Sequence, residues 1–382
     1  TLTVGVQGGG GGGYTPVTVV TVGAAAVYYS TDGVTYKPME LVGGQGSFAA
    51  IGDYTVVARC HSLPEVYLVR ASPARLSRVE IPCAPPAAVR TEDFAATGRA
   101  PAALGGVELA DGDLVFLGRS PGVLAEGSFS VSSPVPAGAS TLVLTLARPA
   151  EEGEGPGGIT PLGYAVVSRN PGQAEALLEE EAWAPFARLA RVNPPQNLFP
   201  GAQGSSTVLF LPEGGQGYGV VVGQGSGYGV LEVSGTYVGL AFSTANLGDG
   251  RGAAQVEARA LGGSDWTPSL LSVPDPRVSA YDPLAGTVSV SGVEGAAAYF
   301  LRGPLLTDAA TGETLRLTAF FTSPPLGYAL PAIPELGYGL NPSPGWRELG
   351  AGSGLTLAWL AEKEELVPNP SFRLSYLREP AP

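Results

Sequence analysis

Few residues in this chain carry reactive side chains. His61 is the single histidine, and Cys60 and Cys83 are the only cysteines. A serine- or cysteine-type nucleophilic centre needs a base, and His61 is the one imidazole in the chain. It follows Cys60 at the end of a strand pattern and reads as structural. Two cysteines and one histidine outside any ligand spacing do not make a zinc set. Asp111-Gly112-Asp113 and Asn246-Leu247-Gly248-Asp249-Gly250 offer oxygen atoms but lack the stepped ligand positions of a calcium loop, so both read as turns. Neither a metal nor a cofactor is expected. None of the 34 acidic residues is marked by spacing as half of a glycosidase pair. No GxxxxGK[ST] loop occurs, and the glycine runs lack the strand-then-helix setting of a dinucleotide fingerprint. An enzyme is therefore not the expectation.

Binding chemistry rests on aromatic residues. Tyr328 and Tyr338 lie in a Pro-rich stretch over 324–344, and Trp346 follows just beyond it. Rings set among turn residues can stack on a sugar or anchor a protein interface, so these three are the candidate binding residues. Tyr218, Tyr228 and Tyr237 fall inside strand patterns and are expected in the core.

The elements that must position these rings are strands. Gly and Pro are abundant, at 56 and 35 residues, without a collagen period. Short apolar runs alternate with glycine-rich turns, most clearly over 214–268. Leu2, Val4 and Val6 alternate as a strand does, and Gly8 to Gly13 follow as a linker too glycine-rich for regular structure. Between Tyr14 and Pro82 about seven strands can be counted, as in an immunoglobulin-like sandwich. Asp32-Gly33 marks a hairpin turn there, and Cys60 and Cys83 end two of the strands. These cysteines form either a disulfide, closing a loop of about two dozen residues and contributing roughly 3 kcal/mol, or two buried thiols. Val107 to Leu117 suggests a hairpin turning at Asp111-Gly112. The best helix spans Pro171 to Ala184, with Asn170 as its cap, Pro171 in its first turn and Pro185 as its stop. Glu151 to Gly158 is an acidic loop. The near-duplicates Gly215–Val220 and Gly225–Val230 suggest adjacent strands joined by a tight Gly-Gln-Gly turn. Leu355–Trp359 and Phe372–Leu377 are expected as late strands.

Together these patterns predict a mainly β chain of tandem β-sandwich domains, immunoglobulin-like or jelly-roll-like, with one short helix. The expected division is an N-terminal strand and glycine linker over 1–13, an immunoglobulin-like sandwich over 14–86, and a β module with the helix over 87–193. A sandwich module over 194–272 and a C-terminal sandwich over 273–382 complete it. A net charge of −13 argues against nucleic-acid binding and against attachment to anionic lipid. No apolar run is long enough for a membrane helix. The start of the chain lacks a signal-peptide pattern; it fits a chain already cleaved or one that lost an initiator Met. Lys37 and Lys363 are the only lysines and Met39 the only methionine, a bias that fits a GC-rich, thermophilic source.

Two stretches resemble modules of tailed-bacteriophage tail-fibre and tail-tip proteins. One opens at Val89-Arg90-Thr91 and continues through Gly106-Val107-Glu108-Leu109-Ala110-Asp111-Gly112-Asp113-Leu114-Val115-Phe116-Leu117, with Gly127 to Val131 as its second strand. The other runs from Tyr228-Gly229-Val230-Leu231-Glu232-Val233-Ser234-Gly235-Thr236-Tyr237-Val238-Gly239 to Ser264-Asp265-Trp266-Thr267-Pro268. The resemblance covers about a quarter of the chain. It implies a virion structural protein that assembles with copies of itself and with other virion proteins, and that contributes to adhesion through a host-surface glycan or protein. The residues leave two alternatives open: an extracellular or cell-surface filament subunit joined through its N-terminal strand, and a carbohydrate-binding or carbohydrate-active protein.

Overall fold

The computed structural model describes residues 13–85, 89–150, 158–362 and 370–380. The expected N-terminal strand and most of its glycine linker lie outside the described residues, as does nearly all of the acidic loop. The chain is mainly β, with sheets stacked face to face over apolar cores, and among the described residues one α-helical turn occurs, Leu357–Leu360.

A long central sheet organises the molecule. Its first strands come from the N-terminal segment: Lys37–Pro38, Ala24–Ser30, Tyr54–Cys60 and Glu65–Ala71, in that order. Glu65–Ala71 then pairs in parallel with Thr314–Phe321, more than two hundred residues later. From there the sheet continues antiparallel through Ala298–Asp308, Trp346–Ser353 and Ser371–Pro380. Ser371–Pro380 pairs on its other side with Arg251–Leu261, which leads to Gly235–Gly248, Gln203–Pro212 and Val220–Gln224. The hydrogen-bonded sheet thus runs across the expected module boundary at 272/273.

Strands buried on both faces read as continuous apolar runs rather than alternations, and the middle of this sheet is built from such runs. Along Tyr54–Cys60, Tyr54, Val56, Ala58 and Cys60 point into one core and Val57 into a second. The same division holds for Tyr67 and Val69 against Val66 and Leu68, and for Phe300 against Tyr299 and Leu301. The first core is closed by a sheet of Gln45–Ala50, Thr15–Thr21 and Arg78–Ile81, and by Leu357 and Leu360 of the helical turn. The second is closed by Ala280–Asp282, Thr287–Ser289 and Tyr328–Ala329. First and last segments therefore share two cores.

A third core spans the middle of the chain. Thr91–Arg99 pairs with Ser128–Pro136 and Glu175–Leu178, while Leu114–Leu117, Ser120–Val123, Thr141–Pro149 and Ile159–Ser168 form the opposing sheet. A buried carboxylate paired with a partly exposed arginine ties this region together. Asp113 accepts two bonds from Arg148, at 2.8 and 2.9 Å, and one from the Ala110 amide.

Four local expectations need correction. Residues 171–184 are not a helix: Glu175–Leu178 is a strand parallel to Thr91–Arg99, Glu180–Ala182 a single 3-10 turn, and Trp183–Pro185 a strand. Leu178 and Trp183 are buried, and the Trp183 indole donates to Arg99 O at 3.1 Å. Gly98 permits this approach, because a Cβ there would strike the Leu178 backbone. Core burial of two side chains outweighs the local capping signals. Val107–Glu108 pairs with Ala103–Leu104 rather than with Leu114–Leu117, since the Asp113 carboxylate turns inward to Arg148. Val220–Gln224 and Gly227–Val230 follow each other closely but belong to different sheets, the second pairing with Arg188–Arg191. They cross at Gly223, whose bare Cα lies against Tyr228. Leu357–Leu360 is helical rather than extended: Thr356 Oγ1 accepts from Trp359 N at 3.1 Å and caps the turn.

Cys60 and Cys83 form a disulfide across a sequence separation of 23 residues. Both sulfurs lie in the core beneath the three-stranded cover sheet. By loop entropy the bridge stabilises the protein by roughly 3 kcal/mol. The Cys60→Ala, Cys83→Ala double variant should therefore show a lower urea midpoint, and reductant should shift the wild-type midpoint toward the variant's. An identical midpoint for wild type and variant would count against the loop-entropy account.

Candidate functional site

The second core brings Tyr328 and Tyr338 together, and Trp346 is not among the residues packed on it. Tyr328 lies on the short strand paired to Thr287–Ser289. Its ring meets Phe321 edge-on at 5.3 Å between centroids, and the Arg70 guanidinium sits 4.8 Å from its centroid. Tyr338 belongs to the strand Tyr338–Leu340, opposite Asp308, and its hydroxyl donates to Pro331 O at 2.9 Å. Burial pushes the Tyr338 hydroxyl well above the usual tyrosine range, with Tyr328 as the second cause. Tyr36, from the N-terminal segment, is raised in the same way by burial first and by Tyr328 next. Three tyrosines from both ends of the chain thus pack at one edge of the second core.

Beside them opens a cavity of about 490 Å³ lined by Arg70, Ser323, Pro324, Pro325, Leu326 and Tyr328. Leu326 is 77% exposed. Prolines hold this rim with little conformational freedom left to lose. A stacked Arg–Tyr pair and an exposed leucine make an amphipathic surface of the kind that takes a partner. The Tyr36 and Tyr338 hydroxyls, raised by burial, serve as hydrogen-bonding groups.

Trp346 starts the strand Trp346–Ser353. Strand alternation puts it on the face opposite Leu349 and Ala351, which belong to the tyrosine-side core. Arg316 and Arg378 lie 5.7 and 5.4 Å from its ring centroid. Nearby, Arg302 pairs with Glu348 and with Glu362. This is a second charged and aromatic surface, separate from the first.

Tyr218, Tyr228 and Tyr237 are all buried. Tyr218 donates to Val143 O at 2.9 Å, and Tyr228 donates to Ser264 O at 2.7 Å. Tyr237 Oη accepts from Leu231 N at 2.8 Å. Asn246 Oδ1 accepts from the Gly248 amide within its own turn, whereas Asp111 Oδ1 accepts from the Glu126 amide of a neighbouring turn, so both oxygens are engaged by backbone amides. Among the described residues no group of three or more His, Cys, Asp or Glu side chains is placed to hold a metal ion.

His61 is exposed and lies in a groove of about 660 Å³ with Arg59, Asp308 and Glu313. Arg59 spans this groove. It pairs with Asp308 and donates to Leu336 O and Gly337 O at 2.7 and 3.0 Å. The Asp308 carboxyl is held down to about 2, first by the Thr311 amide, then by Arg59 and the Ala310 amide. A carboxyl depressed below its ordinary 3.8 adds stability that is complete above that pH and lost as pH falls toward the folded value. Acid titration from pH 5 to 2 should therefore lower the urea midpoint of the wild type more steeply than that of Asp308→Asn. Equal slopes would show that this carboxylate is not coupled to folding.

Sequence reasoning missed Arg70 and Tyr36, whose place beside Tyr328 follows from the parallel pairing of Glu65–Ala71 with Thr314–Phe321. No family model, curated protein or solved structure matches the chain.

Proposed function

We propose that the protein is a structural component of a phage tail, a fibre or tail-tip part, that holds a rigid β body and presents loops to a host surface. One observation carries the reading. The two stretches that resemble tail-fibre modules, about a hundred residues apart, contribute to the same core: Val115, Phe116 and Leu117 from the first, and Tyr228, Leu231, Tyr237, Val238 and Trp266 from the second. Their sequence likeness thus coincides with a shared structural unit. The continuous sheet adds support, since it lets load pass between the ends of the chain through hydrogen-bonded ladders rather than through linkers. On this reading the Arg70–Tyr328 rim is an adhesion surface for a host glycan or protein, with many weak contacts summed over copies.

Immuno-electron microscopy tests the proposal. Antibody raised to the purified chain should label the tails of phage particles recovered from the source culture. Label confined to the cell surface, with particles bare, would overturn it in favour of a cell-surface filament.

A further inference from the structure

Ser371–Pro380 runs between two strands from different parts of the chain, and its register builds a polar row. Arg373 is directly opposite Glu257 on one side and Ser353 on the other. Arg259, two residues along from Glu257, is opposite Ser371. Directly opposed residues of antiparallel strands share a face, so both arginines, the glutamate and two serines project together. Ser269, from the segment after Trp266, completes the rim of a cavity of about 260 Å³. Its floor is unusual for a β surface. Glu257 is only 4% exposed, and it accepts a bond from the Ser269 amide.

The neighbouring row differs in a telling way. Gln255 is fully buried, and its amide is used up by Asn197 O, Leu271 O, Ser243 Oγ and the Phe199 amide. Those contacts tie loops to the sheet and leave nothing over. At Glu257 the polar groups are not used up. Among the described residues neither Arg259 nor Arg373 forms an ion pair. Burial raises the Glu257 carboxyl, while the Ser269 amide, the Trp266 indole and the two arginines oppose that rise. Glu257 takes one bond from the Ser269 amide, and a carboxyl with two oxygens keeps acceptor capacity for hydroxyl groups.

We propose that this cavity binds one acidic saccharide unit, with its carboxylate or sulfate on Arg259 and Arg373 and its hydroxyls on Glu257 and the surrounding serines. Two guanidiniums supply planar forks for a carboxylate or a tetrahedral oxyanion. One buried carboxyl and three serine hydroxyls match a polyol. A volume at or below the small end of ligand pockets fits a single ring. The protein's net charge of −13 repels a long polyanion, so recognition is of one unit rather than of a charged chain. Binding to the isolated protein does not depend on whether the protein is a virion part, and the two readings can fail separately.

Titration calorimetry on the full chain at pH 7 tests the inference with four probes: glucuronate, galactose 6-sulfate, glucose and inorganic sulfate. Saturable binding of glucuronate or of the sulfated sugar, at least tenfold tighter than glucose and inorganic sulfate, is the expected result. Preference between the two acidic sugars identifies the anion. Arg259→Ala, at an exposed position, should weaken that binding at least tenfold with an unchanged melting temperature. Arg373→Ala should do the same; should it destabilise the sheet, the Arg259 variant decides alone. Glucose or bare sulfate binding as tightly as the acidic sugars, no binding by any probe, or undiminished binding by Arg259→Ala overturns the proposal.

Discussion

Replacing Arg169 with leucine should destabilise the protein by roughly 3–5 kcal/mol, because several buried acceptors lose their donor at about 1–3 kcal/mol each, while Glu92, 31% exposed, is rehydrated. The Arg169 side chain is 1% exposed and pairs with Glu92 at 2.7 Å. It also donates to Gln173 O at 2.9 Å and to Pro136 O and Ala137 O at 3.2 Å, and its guanidinium lies over the Phe94 ring. Leucine would fill part of the space yet leave these carbonyls without donors, and the unmet desolvation penalty of each adds to the loss. Lysine keeps the charge but cannot fork toward the carbonyls and the carboxylate together, so Arg169→Lys should recover only a minor part. Glu92→Gln, which keeps an acceptor for the fork, should cost less than either. Urea unfolding of the four proteins gives the order. A leucine variant within about 1 kcal/mol of wild type would mean that water replaces the guanidinium, and that this site is not sealed.

Much of this architecture is legible in the sequence because it is local. Thr15–Thr21 and Gln45–Ala50 alternate, and Asp32-Gly33 turns as its chemistry requires, with Asp32 Oδ1 accepting from Val34 N and Thr35 N. The continuous run Tyr54–Cys60 marks a strand, but the two cores it divides are not written in it. Local signals also mislead where a distant partner decides. Asn170, Pro171 and Pro185 frame a helix, yet Leu178 and Trp183 are claimed by the core laid down by Thr91–Arg99 and Ser128–Pro136.

The site residues divide along the same line. Tyr328 and Tyr338 stand out by their setting among prolines. Their neighbours Arg70 and Tyr36 come from the other end of the chain, through a parallel pairing that no spacing encodes. Glu257 and Arg259 show an i, i+2 relation that any strand displays. Arg373 and Ser353 join them only because Ser371–Pro380 inserts between Trp346–Ser353 and Arg251–Leu261.

That insertion leads to the largest expected effect. A chain ending at Pro370 loses the strand that joins the two halves of the central sheet. Trp346–Ser353 and Arg251–Leu261 would each lose a ladder of eight residue pairs and become open edges. Leu377 and Ser375 would leave the interior, and with Ser375 goes the bond from its Oγ to Ser272 O at 2.7 Å. The first and last segments still share two cores, and the middle of the chain keeps its own. The truncated chain should therefore unfold in two separate thermal transitions rather than one, and its exposed edges should drive self-association at micromolar concentration. Ser375→Pro is the milder test, because it removes one ladder N–H from a central strand and should lower the transition temperature. Scanning calorimetry with sedimentation distinguishes the outcomes. A single transition at the wild-type temperature in a monomeric truncated chain would show that the halves are coupled by some route other than this strand.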